Sequence, residues 1–269
     1  MKRKISVLFL SYSLFLILLF TSGMLSGVLS EAVYFLSFIL PILLALYLTR
    51  DEKPYRGKFL SLDKEGLKLT LPLIVPTISV TVIISYITAA LIFLLTGKIN
   101  SVDIGDSVFL AIVSHALLPA LLEEALFRYI PMRLLAPHSK RAAVLISAFF
   151  FAMVHHDLFS IPYAFIGGMI FMVLDLALDS VIPSVIIHFI NNAISVCTIL
   201  YADIPIAVAA VYTALGVLTV LSMVVLLRKK DKYGALFASA MQRGERATIT
   251  PEIIAFAIIT LGISVVNLL

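Results

Sequence analysis

Sulfur and charge are both scarce in this chain. There is one cysteine, Cys197, and it lies inside an apolar run, so neither an internal disulfide nor a cysteine metal site is available. Charged residues make up only 13% of the 269 positions against 61% hydrophobic residues, and the mean hydropathy is +1.10. That balance excludes an ordinary water-soluble domain. No internal repeat or low-complexity tract interrupts it.

What is present is a series of apolar runs, each long enough to cross a bilayer, separated by short charged loops. The runs predict an all-α, polytopic integral membrane bundle of eight or nine helices. They are Ile5 to Leu25, Ala32 to Leu48, Leu69 to Thr96, Ser107 to Leu135, Ala142 to His155, Leu158 to Leu178, Val181 to Leu200, Ile204 to Leu227 and Ile253 to Leu269. The fifth is short, and the third and fourth are long enough to tilt or kink, with Pro72, Pro76 and Pro119 as kink sites. No small-x-small cleavage site follows the first run, which therefore reads as a retained span rather than a secretory signal. Three regions result: residues 1–106 with the first spans and a cytoplasmic loop, a core over 107–200, and C-terminal spans over 201–269.

Positive charge alternates between loops. Lys2, Arg3 and Lys4 precede the first span; Arg50, Lys53, Arg56, Lys58, Lys64 and Lys68 follow the second. Arg133, Lys140 and Arg141 follow the fourth, and Arg228, Lys229, Lys230 and Lys232 follow the eighth. The loops around Lys98 to Asp106 and Tyr201 to Asp203 have little. The positive-inside rule then puts the N-terminus in the cytoplasm and the C-terminus across the membrane. A pI near 9.1 accordingly reflects topology, and no nucleic-acid partner is expected. The polar stretch Lys229 to Thr250 reads as a cytoplasmic loop with a short surface helix.

Against this background Glu123, Glu124 and Arg128 stand out. An ionisable residue at the centre of a span costs about 2.5–3.5 kcal/mol on insertion scales, which makes such a cluster a candidate functional site. Glu124 and Arg128 share a helix face at i, i+4 and can pair. Glu123 is rotated by about 100° and has no basic residue three or four positions away. His155 ends the fifth run. The short loop after the fourth makes these two runs a hairpin, and counting outward from residue 138 brings Glu123 and His155 to similar depth. His188 and Asn192, again four apart, share one face of the seventh run. A carboxylate and a histidine can activate water, while His188 and Asn192 can donate to a developing oxyanion. The blander readings are a buried Glu–Arg bridge, an interfacial histidine, and a His–Asn pair that holds helices together.

Three motifs in order, Glu123-Glu124-x-x-x-Arg128, Phe151-x-x-x-His155 and His188-x-x-x-Asn192, resemble those of the CAAX-protease and bacteriocin-processing family, also called type II CAAX prenyl endopeptidase or Abi family. The likeness covers roughly Val108 to Val196. It implies a helical intramembrane protease that hydrolyses a peptide bond by water, without an acyl-enzyme. Glu123 and His155 would activate the water, Glu124 and Arg128 would support them, and His188 with Asn192 would form the oxyanion hole. The implied partners are membrane lipid and a peptide or protein substrate, lipidated if it is of CAAX type. Glu123, His155 and His188 also match a catalytic zinc set, so metal-free glutamate chemistry and a divalent metal are both open, with metal-free chemistry preferred.

Other polar residues remain. His156 or Asp157 could partner Glu123 instead. His115, eight residues and about 12 Å before Glu123 along the helix, reads as structural. Asp175 and Asp179 read as a cytoplasmic helix end. The competing functions are a transporter with a midplane solute site, and a non-catalytic membrane protein such as an immunity factor.

Overall fold

The structure, a computed structural model, describes residues 1–51, 61–98, 107–242, 244 and 250–268. Lys53, Arg56, Lys58, most of the Lys98 to Asp106 loop, the residue 106 boundary, much of the end of the Lys229 to Thr250 stretch, and Leu269 lie outside the described residues. Among the described residues there are ten helices and no extended strand. In chain order they are α1 (Lys2–Gly23), α2 (Gly27–Leu48), α3 (Lys64–Thr96), α4 (Val108–Leu135) and α5 (Lys140–Met153), followed by α6 (Ile161–Leu178), α7 (Ile182–Leu200), α8 (Pro205–Arg228), α9 (Lys230–Ala240) and α10 (Pro251–Leu268). Eight of them, all but α5 and α9, are long and apolar enough to cross a membrane. The chain is an all-α integral membrane bundle, as its apolar runs predict, and α9 is the expected short surface helix.

Aromatic side chains lock the first, fourth and fifth helices together. The Tyr12 ring stacks on Phe127 at 5.0 Å and meets Phe150 at 4.5 Å. Phe15 packs edge-on against Phe38 of α2 and Phe127 of α4, and Phe150 reaches Phe256 of α10 at 4.8 Å. Ring pairs in these edge and offset geometries are worth about 0.5–1.5 kcal/mol each beyond their buried area. This cluster is the wall against which α4 rests.

α3 begins where the Asp63 carboxylate accepts from the Gly66 N–H at 2.6 Å, an N-cap. It ends at Gly97, whose φ of 70° is the left-handed turn that glycine adopts without strain. Its 33 residues run to about 50 Å at ~1.5 Å per residue, well beyond a hydrocarbon core of about 30 Å. α5 is the opposite case: 14 residues, about 21 Å, so it stops inside the bundle. It ends at Met153, two residues before the predicted limit at His155, and α6 starts at Ile161 rather than Leu158. Asp157 causes the delay. Its carboxylate accepts from the Phe159 N–H and the Ser160 hydroxyl, an Asx-type turn that occupies the intervening residues.

α4 departs from regular α geometry twice. Val113–Leu117 and Ala125–Tyr129 are π turns, closed by Leu118 N–H donating to the Val113 carbonyl and Ile130 N–H to the Ala125 carbonyl. A proline comes immediately after each closing residue, Pro119 and Pro131. Proline has no N–H, and its ring clashes with the carbonyl four residues back. Widening the preceding turn by one residue relieves that clash and keeps the helix continuous.

The basic residues gather at one end of the bundle. The Arg3 guanidinium donates to the Leu48 carbonyl at 3.4 Å, and Lys4 lies close enough to Arg133 for the two charges to interact. Lys140 Nζ donates to Ser239 O at 3.2 Å, Lys232 pairs with Glu65 at 2.8 Å, and the Tyr233 hydroxyl donates to Leu69 O. The N-terminus, the start of α3, the α4–α5 turn and α9 therefore share that end. At the opposite end Lys98 Nζ donates to the Leu268 carbonyl.

Candidate active site

α4 alone builds a buried ion pair. Glu124 Oε2 lies 3.3 Å from Arg128 Nε, and neither side chain is exposed. The guanidinium also donates through Nη1 to Phe127 O at 3.1 Å and to Ser147 Oγ at 3.4 Å, while the Ser147 hydroxyl donates to that same carbonyl. Its carbon lies 4.2 Å from the Phe151 ring centroid and 5.6 Å from that of Phe171. A desolvated cation over ring faces gains about 2 kcal/mol. Arg128 is thus held on three sides, and the first phenylalanine of the second motif supplies one of them.

Glu124 has a second partner. His188 Nδ1–H donates to Glu124 Oε1 at 2.7 Å, joining α7 to α4. With Nδ1 so engaged, His188 Nε2 is directed to Glu123, whose Oε2 is 3.8 Å away. Just past the end of α5 the pattern repeats: His155 Nδ1–H donates to Phe151 O at 2.7 Å, which leaves Nε2 as its other ring nitrogen. Both histidines have the nearer nitrogen fixed by an acceptor, which sets ring orientation and tautomer.

A cavity of about 1190 Å³ opens among α3, α4, α6, α7 and α8. Glu123, His155, His188 and Asn192 all line it, together with Tyr34, Tyr163, Thr81 and Asn191. Glu124 and Arg128 do not; they sit behind the wall. The structure therefore brings the six predicted residues into two layers, four at the cavity and two supporting.

Several readings are corrected. His115 is exposed and lines the same cavity as Glu123. His156 does not line it: the ring packs against Phe20 at 5.3 Å, its backbone sits at φ 50°, and its carbonyl accepts from Asn267. Asp157 is the turn-former already described. Asp175 is not an exposed helix end but fully buried. It accepts from Ser184 N–H at 3.2 Å and Ser184 Oγ–H at 2.7 Å, covering the first turn of α7, and lies close enough to feel the charges of Glu124 and Arg128. Asp179 ends α6 with a left-handed φ of 55°. Sequence reasoning also missed Ser147, Thr81, Asn191 and Ser184. Only Asn191, adjacent to Asn192, carried a visible signal.

Among the described residues, no three histidine, cysteine, aspartate or glutamate side chains are grouped so that they could hold a metal ion. The Glu123, His155 and His188 set lines one cavity without forming such a group.

Fold and site together define a membrane-embedded helical bundle with an acid–histidine–amide cluster facing a half-open cavity. Residues 105–194, roughly a third of the chain, match the family described as Type II CAAX prenyl endopeptidase Rce1-like. The resemblance carried by the three motifs holds over this segment, which spans all of them. No curated protein and no solved structure matches the chain.

Proposed function

We propose that the protein is an intramembrane endopeptidase in which Glu123 and His155 activate the attacking water. The observation that carries this is the division of the polar cluster: Glu123, His155, His188 and Asn192 face one cavity, while Glu124 and Arg128 are sealed behind it. Glu123 takes a proton from the water, which His155 Nε2 helps to orient. The resulting hydroxide attacks the substrate carbonyl carbon. The oxyanion receives hydrogen bonds from Asn192 Nδ2–H and, when its ring carries both protons, from His188 Nε2–H. Glu123 returns its proton to the amine as the C–N bond breaks, and a carboxylic acid and an amine leave.

The family match favours cleavage near the C-terminus of a prenylated protein; maturation of a bacteriocin-like peptide is the other substrate class. The clustering of basic residues at the α1 and α9 end supports a cytoplasmic N-terminus. Comparing the proteomes of cells carrying wild-type and Glu123→Gln protein should reveal uncut precursors only in the variant. The full chain in liposomes should then cleave the precursor so found, unaffected by a divalent-metal chelator. Full cleavage by Glu123→Gln would remove Glu123 as the base, absence of cleavage by the wild-type chain would favour a transporter or immunity role, and loss of activity to the chelator would assign a metal to the site.

A further inference from the structure

Asn192 is useful to an oxyanion only if its amide points the right way, because its oxygen would repel the charge that its N–H groups stabilise. A side-chain amide can turn over unless its neighbours distinguish the two ends. Here they do. Asn191 Nδ2–H donates to Asn192 Oδ1 at 3.3 Å, which holds that oxygen and leaves the Asn192 NH2 as the group for the cavity. Asn191 is oriented in turn by Thr81, whose hydroxyl shares its one proton between the Ile78 carbonyl of its own helix at 2.9 Å and Asn191 Oδ1 at 3.2 Å. Thr81 stands on α3, outside the segment that matches the family, and all three residues line the cavity.

The approach of α3 is itself built in. A Cβ placed on Gly167 of α6 would stand 3.0 Å from Thr81 Cγ2, closer than ordinary van der Waals contact. Glycine at 167 therefore allows the threonine to reach Asn191.

We infer that Thr81 and Asn191 are positioning residues that fix the Asn192 amide with its N–H groups toward the substrate oxyanion. This rests on the endopeptidase reading for its catalytic consequence, whereas the amide order itself does not. Thr81→Val keeps the shape and removes the donor; Asn191 is then free to offer its oxygen to the Asn192 NH2 and reverse it. Asn191→Asp forces the reversal, since a carboxylate can only accept. Plain helix glue, the competing explanation, would lower stability without a selective effect on turnover.

The test uses the full chain in liposomes and an internally quenched peptide ending in a farnesylated cysteine and three further residues. Thr81→Val should lower kcat about tenfold with KM little changed, and Thr81→Ser should restore it. Asn191→Asp should lose about 10²-fold, the lower range for removal of an oxyanion-hole donor. Wild-type turnover in Thr81→Val, or a rate loss that only follows a lower unfolding temperature, overturns the inference. A second measurement needs no substrate. The chain has four asparagines, Asn100, Asn191, Asn192 and Asn267, so selective ¹⁵N labelling resolves their side-chain amides. Slow exchange of the Asn191 amide protons that Thr81→Val abolishes is expected, and fast exchange in the wild type refutes the relay. Absence of cleavage by the wild-type chain removes the protease reading alone, and the exchange result still decides the amide order.

Discussion

Glu124 and His188 are 64 positions apart in the chain and 2.7 Å apart in space, with a buried carboxylate oxygen accepting from the ring Nδ1–H. That contact fastens α7 to α4 and makes one glutamate of the pair structural. Exchanging the two glutamates one at a time should separate their roles. Glu123→Gln should lose cleavage while keeping the wild-type unfolding temperature. Glu124→Ala strands a buried Arg128 and should cost about 3–5 kcal/mol as well as activity. Equal stability losses in the two variants would contradict the two-layer arrangement.

Arg128→Lys keeps the charge and should still fail. Lysine cannot lie flat over Phe151 at 4.2 Å while serving Glu124, the Phe127 carbonyl and Ser147 together. Thermal unfolding in detergent should show a clear loss of stability, with activity falling in parallel. A fully stable, active Arg128→Lys would mean that charge alone suffices.

Removing the Ser184 hydroxyl leaves the buried Asp175 carboxylate with one partner fewer. Ser184→Ala should destabilise by about 1–3 kcal/mol, and Asp175→Asn, which can still accept from Ser184, should cost less. Denaturation midpoints of the two variants give the order directly.

Burial holds the His156 imidazole below the usual histidine range; the backbone of Thr260 offsets part of this, and the neighbouring His155 adds to it. The unfolded chain therefore binds this proton more readily than the folded one. The contribution to stability is complete above the unfolded value of about 6.5 and is lost as pH falls through it. Unfolding temperatures between pH 8 and pH 5 should decline less steeply in His156→Asn, a residue that tolerates the φ of 50°. Identical slopes would show that His156 does not set the acid limit.

Pro119→Ala supplies an N–H where the first π turn now avoids the need for one. The turn should tighten and rotate the Glu123 stretch, and a shift of about 1 Å can cost 10²-fold in rate. Reduced kcat with unchanged or higher thermal stability is the expected pairing; unchanged kcat would show that the turn does not aim the site.

Apolar run length was enough to find every helix but α9, because hydropathy is a local property of the chain; α9 was legible only as part of a polar stretch. Pairing of Glu124 with Arg128 was equally legible, since i, i+4 spacing is fixed by the helix itself. Contacts between helices were not. Nothing in the spacing links Thr81 to Asn191, or shows that Asp175 caps α7, because both depend on how α3, α6 and α7 meet. The turns of α4 are a further case: Pro119 marks a kink site in the sequence, but that the turns before Pro119 and Pro131 widen rather than bend is set by the folded helix.

Those wider turns also affect how this chain is compared with others. Each π turn uses one residue more than the α turn it replaces. A homologue that lacks one would present the same side chains to the same cavity, yet align correctly only with a one-residue gap inside a continuous helix. Matching α4 by unbroken motif spacing would then pair the wrong residues on one side of the gap, although the two folds were the same.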